Sequence, residues 1–245
     1  MTYRKWLPPA ITLILLIAGW QVYTTVSGID AWLLPSPKGI WDAAIEQRDA
    51  LTTHTLATVE LTLYGLAAGL LIAIVLHLVP FLRAAIYPLL VISQNVPIIA
   101  LAPLLVIWLG FGIAPKIVVI VLVCFFPVAV ATLDGLGRGD ALIADYLRMS
   151  GANRRQLFTK LQWPHALPTM FSGLKIAATY SVFGAIISEW LGSEKGIGRY
   201  MIVQKSAFRA DRMFVAIVIV VVLALVIFGL VALLEKLTVR GRRHA

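Results

Sequence analysis

Asp145-Tyr146-Leu147-Arg148-Met149-Ser150-Gly151-Ala152-Asn153-Arg154-Arg155-Gln156-Leu157-Phe158-Thr159-Lys160-Leu161-Gln162-Trp163-Pro164 is a polar, basic interruption in a chain that is otherwise close to continuous hydrocarbon. On either side of it the sequence is too apolar to stay in water. Of 245 residues, 60% are hydrophobic and 13% charged, and the mean hydropathy is +0.90. A soluble domain carries about 25% charge. A helix needs ~20 apolar residues to cross the hydrocarbon core. Leu7–Val26, Leu56–Val79, Ile113–Leu133, Ala166–Leu191 and Met213–Leu234 each supply such a run. Ala84–Leu109 is a sixth, marked by Gln94, Asn95 and prolines. The runs are unbroken rather than alternating, so the expected fold is all-α, a polytopic membrane bundle of about six transmembrane helices, and not a barrel.

Within the interruption, Ile143, Tyr146 and Leu147 share one helical face, with Asp145 and Arg148 on others. Gly151-Ala152 breaks this helix. Asn153 is placed to cap a second, with Gln156 three residues on in the capping-box position. Leu157, Phe158 and Leu161 form the apolar stripe of that second helix, and Arg154, Arg155 and Lys160 its wet face. Pro164 is expected to end it. By periodicity alone, this helix–turn–helix is equally an interfacial pair resting on lipid headgroups or a surface gripped by a partner.

Arg4 and Lys5 precede the first apolar run, which exceeds the 7–15 residues of a typical signal core and lacks a small-x-small cleavage site, so it reads as an anchor. With both termini placed in the cytoplasm, 13 Lys and Arg fall inside and 8 outside, as the positive-inside rule requires. Five of the eight, Lys195, Arg199, Lys205, Arg209 and Arg212, lie in one outer loop. The expected division is residues 1–54 as first span and outer loop, 55–236 as the core containing the loop 134–165, and 237–245 as a basic tail. The formal charge of +9 belongs to this topology, since no basic patch interleaved with aromatics suggests nucleic-acid binding.

Cys124 is a single mid-helix thiol, read as a buried small hydrophobe. His54, His77, His165 and His244 are scattered without ligand spacing, so no metal site is expected. No G-x-x-x-x-G-K-[ST] loop occurs, nor any Gly-Lys dipeptide, so the chain carries no recognisable phosphate cradle of its own. Gly135-Leu136-Gly137-Arg138-Gly139 follows a membrane helix rather than a strand and reads as a turn. No nucleophile elbow or intramembrane aspartate pair is present, and a membrane-anchored scaffold or enzyme is the weaker alternative to a transport subunit.

The spacing Asp145-Tyr146-Leu147-x3-Gly151-x9-Leu161-x-Trp163-Pro164 resembles the EAA loop, E-A-A-x3-G-x9-I-x-L-P, of permease subunits of ATP-binding-cassette importers. Tyr146 and Leu147 depart from its two alanines. The wording of Asn95-Val96-Pro97-Ile98-Ile99-Ala100-Leu101-Ala102-Pro103-Leu104 with Trp108–Gly112, of Ala166-Leu167-Pro168 with Gly173-Leu174-Lys175, and of Gly184–Gly192 resembles the nitrate/sulfonate/taurine branch. It looks nearer to importers of a thiamine pyrimidine precursor or riboflavin than to those of sulfonate, taurine or nitrate.

The resemblance implies a type I importer permease in the inner membrane. It would work as a pair with a second copy of itself, with two ATPase subunits that bind ATP and Mg, and with an extracytoplasmic substrate-binding protein. No cofactor is implied on this chain. Asp145, Tyr146, Leu147, Gly151, Ala152, Leu157, Leu161 and Pro164 become candidates for ATPase coupling, and Gly151→Asp is expected to uncouple transport. The five outer cations become candidates for binding-protein docking. Polar groups at membrane depth tend to face a cavity or the bundle interior. Gln94, Asn95, Pro97, Tyr180, Ser181 and Glu189 are therefore candidates for the translocation path, with bracing of a neighbouring helix the favoured role for Glu189. Gly65-x-x-x-Gly69 permits close helix approach, for core packing or a dimer seam.

Overall fold

The computed structural model describes residues 3–93, 95–137 and 141–239. Lipid offers no partner to a backbone N–H or C=O, so the apolar runs satisfy themselves as helices. In chain order these are α1 Tyr3–Val26, α2 Pro37–Glu46, α3 Arg48–Leu78, α4 Pro80–Ser93, α5 Ile98–Leu109 and α6 Ile113–Gly137. There follow α7 Ala141–Met149, α8 Arg154–Leu157, a π-helical turn Phe158–Gln162, α9 Trp163–Glu189, α10 Ile197–Ser206 and α11 Ala210–Val239. Among the described residues, five helical segments are long and apolar enough to cross a membrane: most of α1, α3, α6, the α8–α9 segment and α11.

The sixth expected span, Ala84–Leu109, is not one helix. It is divided into α4 and α5, of 14 and 12 residues, which reach about 21 and 18 Å, each less than the ~30 Å of the hydrocarbon core but together enough to cross it. Pro97 at the start of α5 has no N–H to continue a ladder. The Asn95 side chain folds back to donate to Val91 O at 3.1 Å, closing the end of α4. The expected boundaries near 54 and 236 fall inside helices, α3 and α11. The glycines at 135 and 137, expected as a turn, belong to the last turns of α6.

The core is the seam where α6 lies between α3 and α9. Leu61, Ile120, Cys124, Phe125, Val128 and Ala177 form its centre. In lipid there is little hydrophobic drive between helices, so close backbone approach through small residues provides the packing. Gly65 and Gly69 of α3 face Ile120 and Cys124 of α6, so this pair serves the chain's own core. Gly184 and Gly173 of α9 face Ile120 and the Pro127 carbonyl. Ile120 is thus flanked by a glycine on each side and is fully buried. The Cys124 thiol donates to Ala177 O at 3.4 Å. Lys175 of α9 pairs with Glu235 of α11 at 2.8 Å, both side chains partly sheltered.

Candidate functional site

Three features are strung along α9: the α7–α8 region at its start, a groove beside its middle and a hydrogen-bonded corner at its end.

At the first, Gly151 takes φ +83°. Its N–H donates to Arg148 O at 3.0 Å and the Ala152 N–H reaches Leu147 O at 2.9 Å. This double bond pattern with a left-handed residue is a Schellman stop, for which glycine is favoured. Asn153 then accepts from the Gln156 N–H at 2.9 Å, and Gln156 Oε1 accepts from the Asn153 N–H at 2.9 Å, a complete capping box.

Pro164 does not end the second helix. It is the second residue of α9, directly after the π-helical turn, and the helix runs on through it. The chain passes from α8 through the π-helical turn into α9 without a break. The second half of the interruption, from Arg154, is therefore the foot of the membrane helix.

The two apolar stripes have different fates. Leu157 and Leu161 are buried at 6% and 7% exposure. They do not form an exposed stripe within this chain, and the π turn that carries Leu161 meets α6. Tyr146, at 67% exposure, and Leu142, Ile143 and Met149 remain outside. Leu147 and Ala152 are half-buried, and Asp145 is exposed and pairs with Arg148 at 2.8 Å. Leu142 and Met149 were legible from the same helical spacing and were missed.

The groove beside the middle of α9 has a volume of about 760 Å³. Its walls come from α5, α6 and α9, and include Val96, Pro97, Phe126, Pro127, Ile176 and Tyr180, with Asp134, Thr169 and Ser172 supplying polar groups. Thr169, Ser172, Gly173, Ile176 and Tyr180 recur at the 3.6-residue period, so one stripe of α9 forms this wall. No Lys, Arg or His is among the described lining residues. Of the expected path residues, Pro97 and Tyr180 are here. Ser181 is not: it is fully buried and its hydroxyl donates to Ala178 O at 2.7 Å. Asn95 is exposed at the end of α4, and Gln94 lies outside the described residues.

Glu189 is also away from the groove. It is 1% exposed at the end of α9, where Thr58 Oγ1 of α3 donates to its Oε1 at 2.8 Å and the Gly198 N–H of α10 to its Oε2 at 2.7 Å. Thr58 and His54, which complete this corner, were not singled out from the sequence, since a lone Thr or His in an apolar run carries no spacing signal. Beyond the corner lie the five cations. Arg209 makes a two-point pair with Asp211 at 3.0 and 2.7 Å, and the bonded carboxylate raises the guanidinium's pKa above its ordinary value. Arg212 pairs with Glu46 at 2.8 Å. Lys195, Arg199 and Lys205 make no ion pair among the described residues.

Comparison with known proteins places this architecture. The family model for binding-protein-dependent transport system inner membrane components matches residues 65–240. The formylaminopyrimidine transport permease protein ThiX of Halalkalibacterium halodurans is 36% identical, over 97% of this chain and 96% of its own length. The riboflavin transport system permease protein RibX of Chloroflexus aurantiacus is 33% identical, over 94% of this chain and 88% of its own. The crystal structure of an amino acid ABC transporter with histidines superposes with a TM-score of 0.63, covering 80% of this chain and 96% of that one, at 15% identity. The last agreement concerns the fold, a type I importer permease. The match to the family model takes in α6, the Schellman turn and the whole of α9, and the chain belongs to the family of binding-protein-dependent transport inner membrane components, as the permease subunit of an ATP-binding-cassette importer.

Proposed function

We propose that this chain forms, with a second copy of itself, the inner-membrane path for an uncharged or weakly charged heteroaromatic nutrient of the pyrimidine-precursor or flavin kind. Two separate ATPase subunits, which bind the ATP and Mg, grip the α7–α8 region from the cytoplasm. The chain itself then catalyses no reaction, and its amino and carboxyl termini are cytoplasmic. An extracytoplasmic binding protein delivers the solute at the α10 end, where Lys195, Arg199 and Lys205, which make no ion pair among the described residues, steer an acidic partner surface.

The coupling reading is carried by one observation: an exposed apolar stripe on α7, Leu142, Ile143, Tyr146 and Met149, is joined by the Gly151 turn to a capped α8 that runs on into α9. A helix face of this kind docks by burying itself in a groove of its partner. Because α8 runs into α9 without a break, a displacement passed through the bonded Gly151 turn is a displacement of the helix that lines the solute groove. Gly151, Asp145 and Ala152 shape the turn, Leu157 and Leu161 tie the foot to the bundle, and Pro164 starts the rod.

The substrate reading is supported by relatives that carry formylaminopyrimidine and riboflavin in their names, and by the groove. An anion at membrane depth needs a compensating cation, and the described lining has none. Phe126, Tyr180 and the proline faces suit a flat ring. The test is uptake by cells carrying this permease with its ATPase and binding protein, using labelled formylaminopyrimidine, riboflavin and taurine in parallel. Uptake of a heterocycle, lost when the ATPase is deleted, is expected. Energised taurine uptake with neither heterocycle carried would refute the substrate reading, and failure of the chain to co-purify with an ATPase would refute the coupling reading.

A further inference from the structure

The end of α9 holds an arrangement that the transport function as described does not use. Glu189 is the only Asp, Glu, Lys or Arg among the described residues that is buried. An ionised carboxylate in such a place is retained only where its lone pairs are engaged. Here both oxygens are, one by Thr58 and one by Gly198. Thr58 Oγ1 in turn accepts from the Ile197 N–H at 2.8 Å, and His54 Nδ1 accepts from the Gly196 N–H at 3.0 Å. The first N–H groups of a helix have no partner within it. Three consecutive ones, Gly196, Ile197 and Gly198, are received here by three side chains of other helices, His54 and Thr58 from α3 and Glu189 from α9.

The backbone is shaped to permit this. Gly196 has φ +119°, and a side chain on it would run into the Glu189 carboxylate. A Cβ on Gly198 would lie 2.6 Å from Ile186 O. The positive end of the α10 dipole also faces the carboxylate. His54 further packs on Tyr200 of α10, ring centroids 5.5 Å apart. The helix bearing Arg199 and Lys205 is thus clamped to the top of the rod whose foot is α8.

We propose that Glu189 is a positioning residue which, through Thr58 and His54, locks α10 to α9, so that binding-protein engagement at α10 and ATPase engagement at the α8 foot act on one rigid body. This rests on the reading of α10 as the binding-protein dock. In that scheme the carboxylate touches neither solute nor binding protein. It carries the signal between two surfaces at opposite ends of one helix.

The test uses the full transporter in proteoliposomes, measuring ATP hydrolysis against binding-protein concentration. Glu189→Gln keeps the shape and an acceptor for Gly198, but turns an NH2 toward Thr58. Thr58→Val removes the hydroxyl that joins Ile197 to Glu189, and Thr58→Ser restores it. The lock predicts assembled complexes with unchanged hydrolysis in the absence of binding protein. At saturating binding protein, maximal stimulation should fall by about 5-fold or more in E189Q and T58V, the lower end of ordinary site-to-site coupling, with recovery in T58S.

Maximal stimulation at the wild-type level in T58V overturns the proposal, as does a loss that follows only the amount of assembled complex and is not recovered in T58S. The docking reading is read separately, from the half-saturating concentration. Arg199→Glu with Lys205→Glu should raise it, and an unchanged value would remove α10 as the dock whatever E189Q does. If E189Q does not assemble, T58V and T58S decide alone.

Discussion

Gly151 separates a backbone explanation of coupling from a contact explanation. Its φ of +83° lies in the region where an L side chain costs roughly 1–2 kcal/mol relative to glycine. Among the described residues, nothing beyond its chain neighbours lies within 4 Å of where its Cβ would sit, so the cost is conformational and not steric. A penalty of that size shifts the population of the Schellman turn about 5- to 30-fold. The two turn bonds and the capping box that follow it share the burden, so the turn is weakened and not abolished. Asn and Asp tolerate positive φ better than Ala, and a β-branched residue is worst.

The transport-to-hydrolysis ratio in proteoliposomes should therefore fall in the order Gly, Asn, Ala, Val. Gly151→Asp, expected from the sequence to uncouple outright, then becomes diagnostic. It has nearly the backbone cost of Asn, so any further loss in Asp over Asn measures the rejection of a charge by the ATPase groove. Equal ratios for Asn and Val would refute the backbone argument. A ratio in Asn as low as in Asp would remove charge as the cause.

Asn153→Ala opens the capping box and should cost about 1 kcal/mol locally, read as faster hydrogen exchange over 153–158 without loss of expression. Gly173→Val drives a side chain into Ala131 and the Pro127 carbonyl; overpacking of this kind costs about 1–3 kcal/mol, so the melting temperature in detergent should drop, and an unchanged value would contradict the α6–α9 seam. Lys175→Met leaves Glu235 partly sheltered and unpaired, and should destabilise more than the double change Lys175→Met with Glu235→Met. The non-additivity is measured by a double-mutant cycle on the same melting assay.

The sequence by itself determined the class, the five long spans and the position of the helix–turn–helix. These follow from local quantities: the length of an apolar run against the thickness of a bilayer, the φ that glycine permits, and an Asn and Gln three residues apart. The capping box and the Schellman glycine were legible for that reason. It was silent on what depends on which helix lies beside which. Leu157 and Leu161 have the same periodicity as Ile143 and Tyr146, yet the first pair is buried and the second exposed, because only the first lies at the end of a helix packed on α6. Pro164 reads from the sequence as a stop, since it lacks an N–H, yet the helix passes through it by way of the π turn into α9. The fate of Glu189 was open for the same reason. A carboxylate at the end of an apolar run is a solute ligand or a brace according to what stands opposite, and Thr58 and Gly198, 131 and 9 residues away in the chain, are brought there by tertiary structure alone.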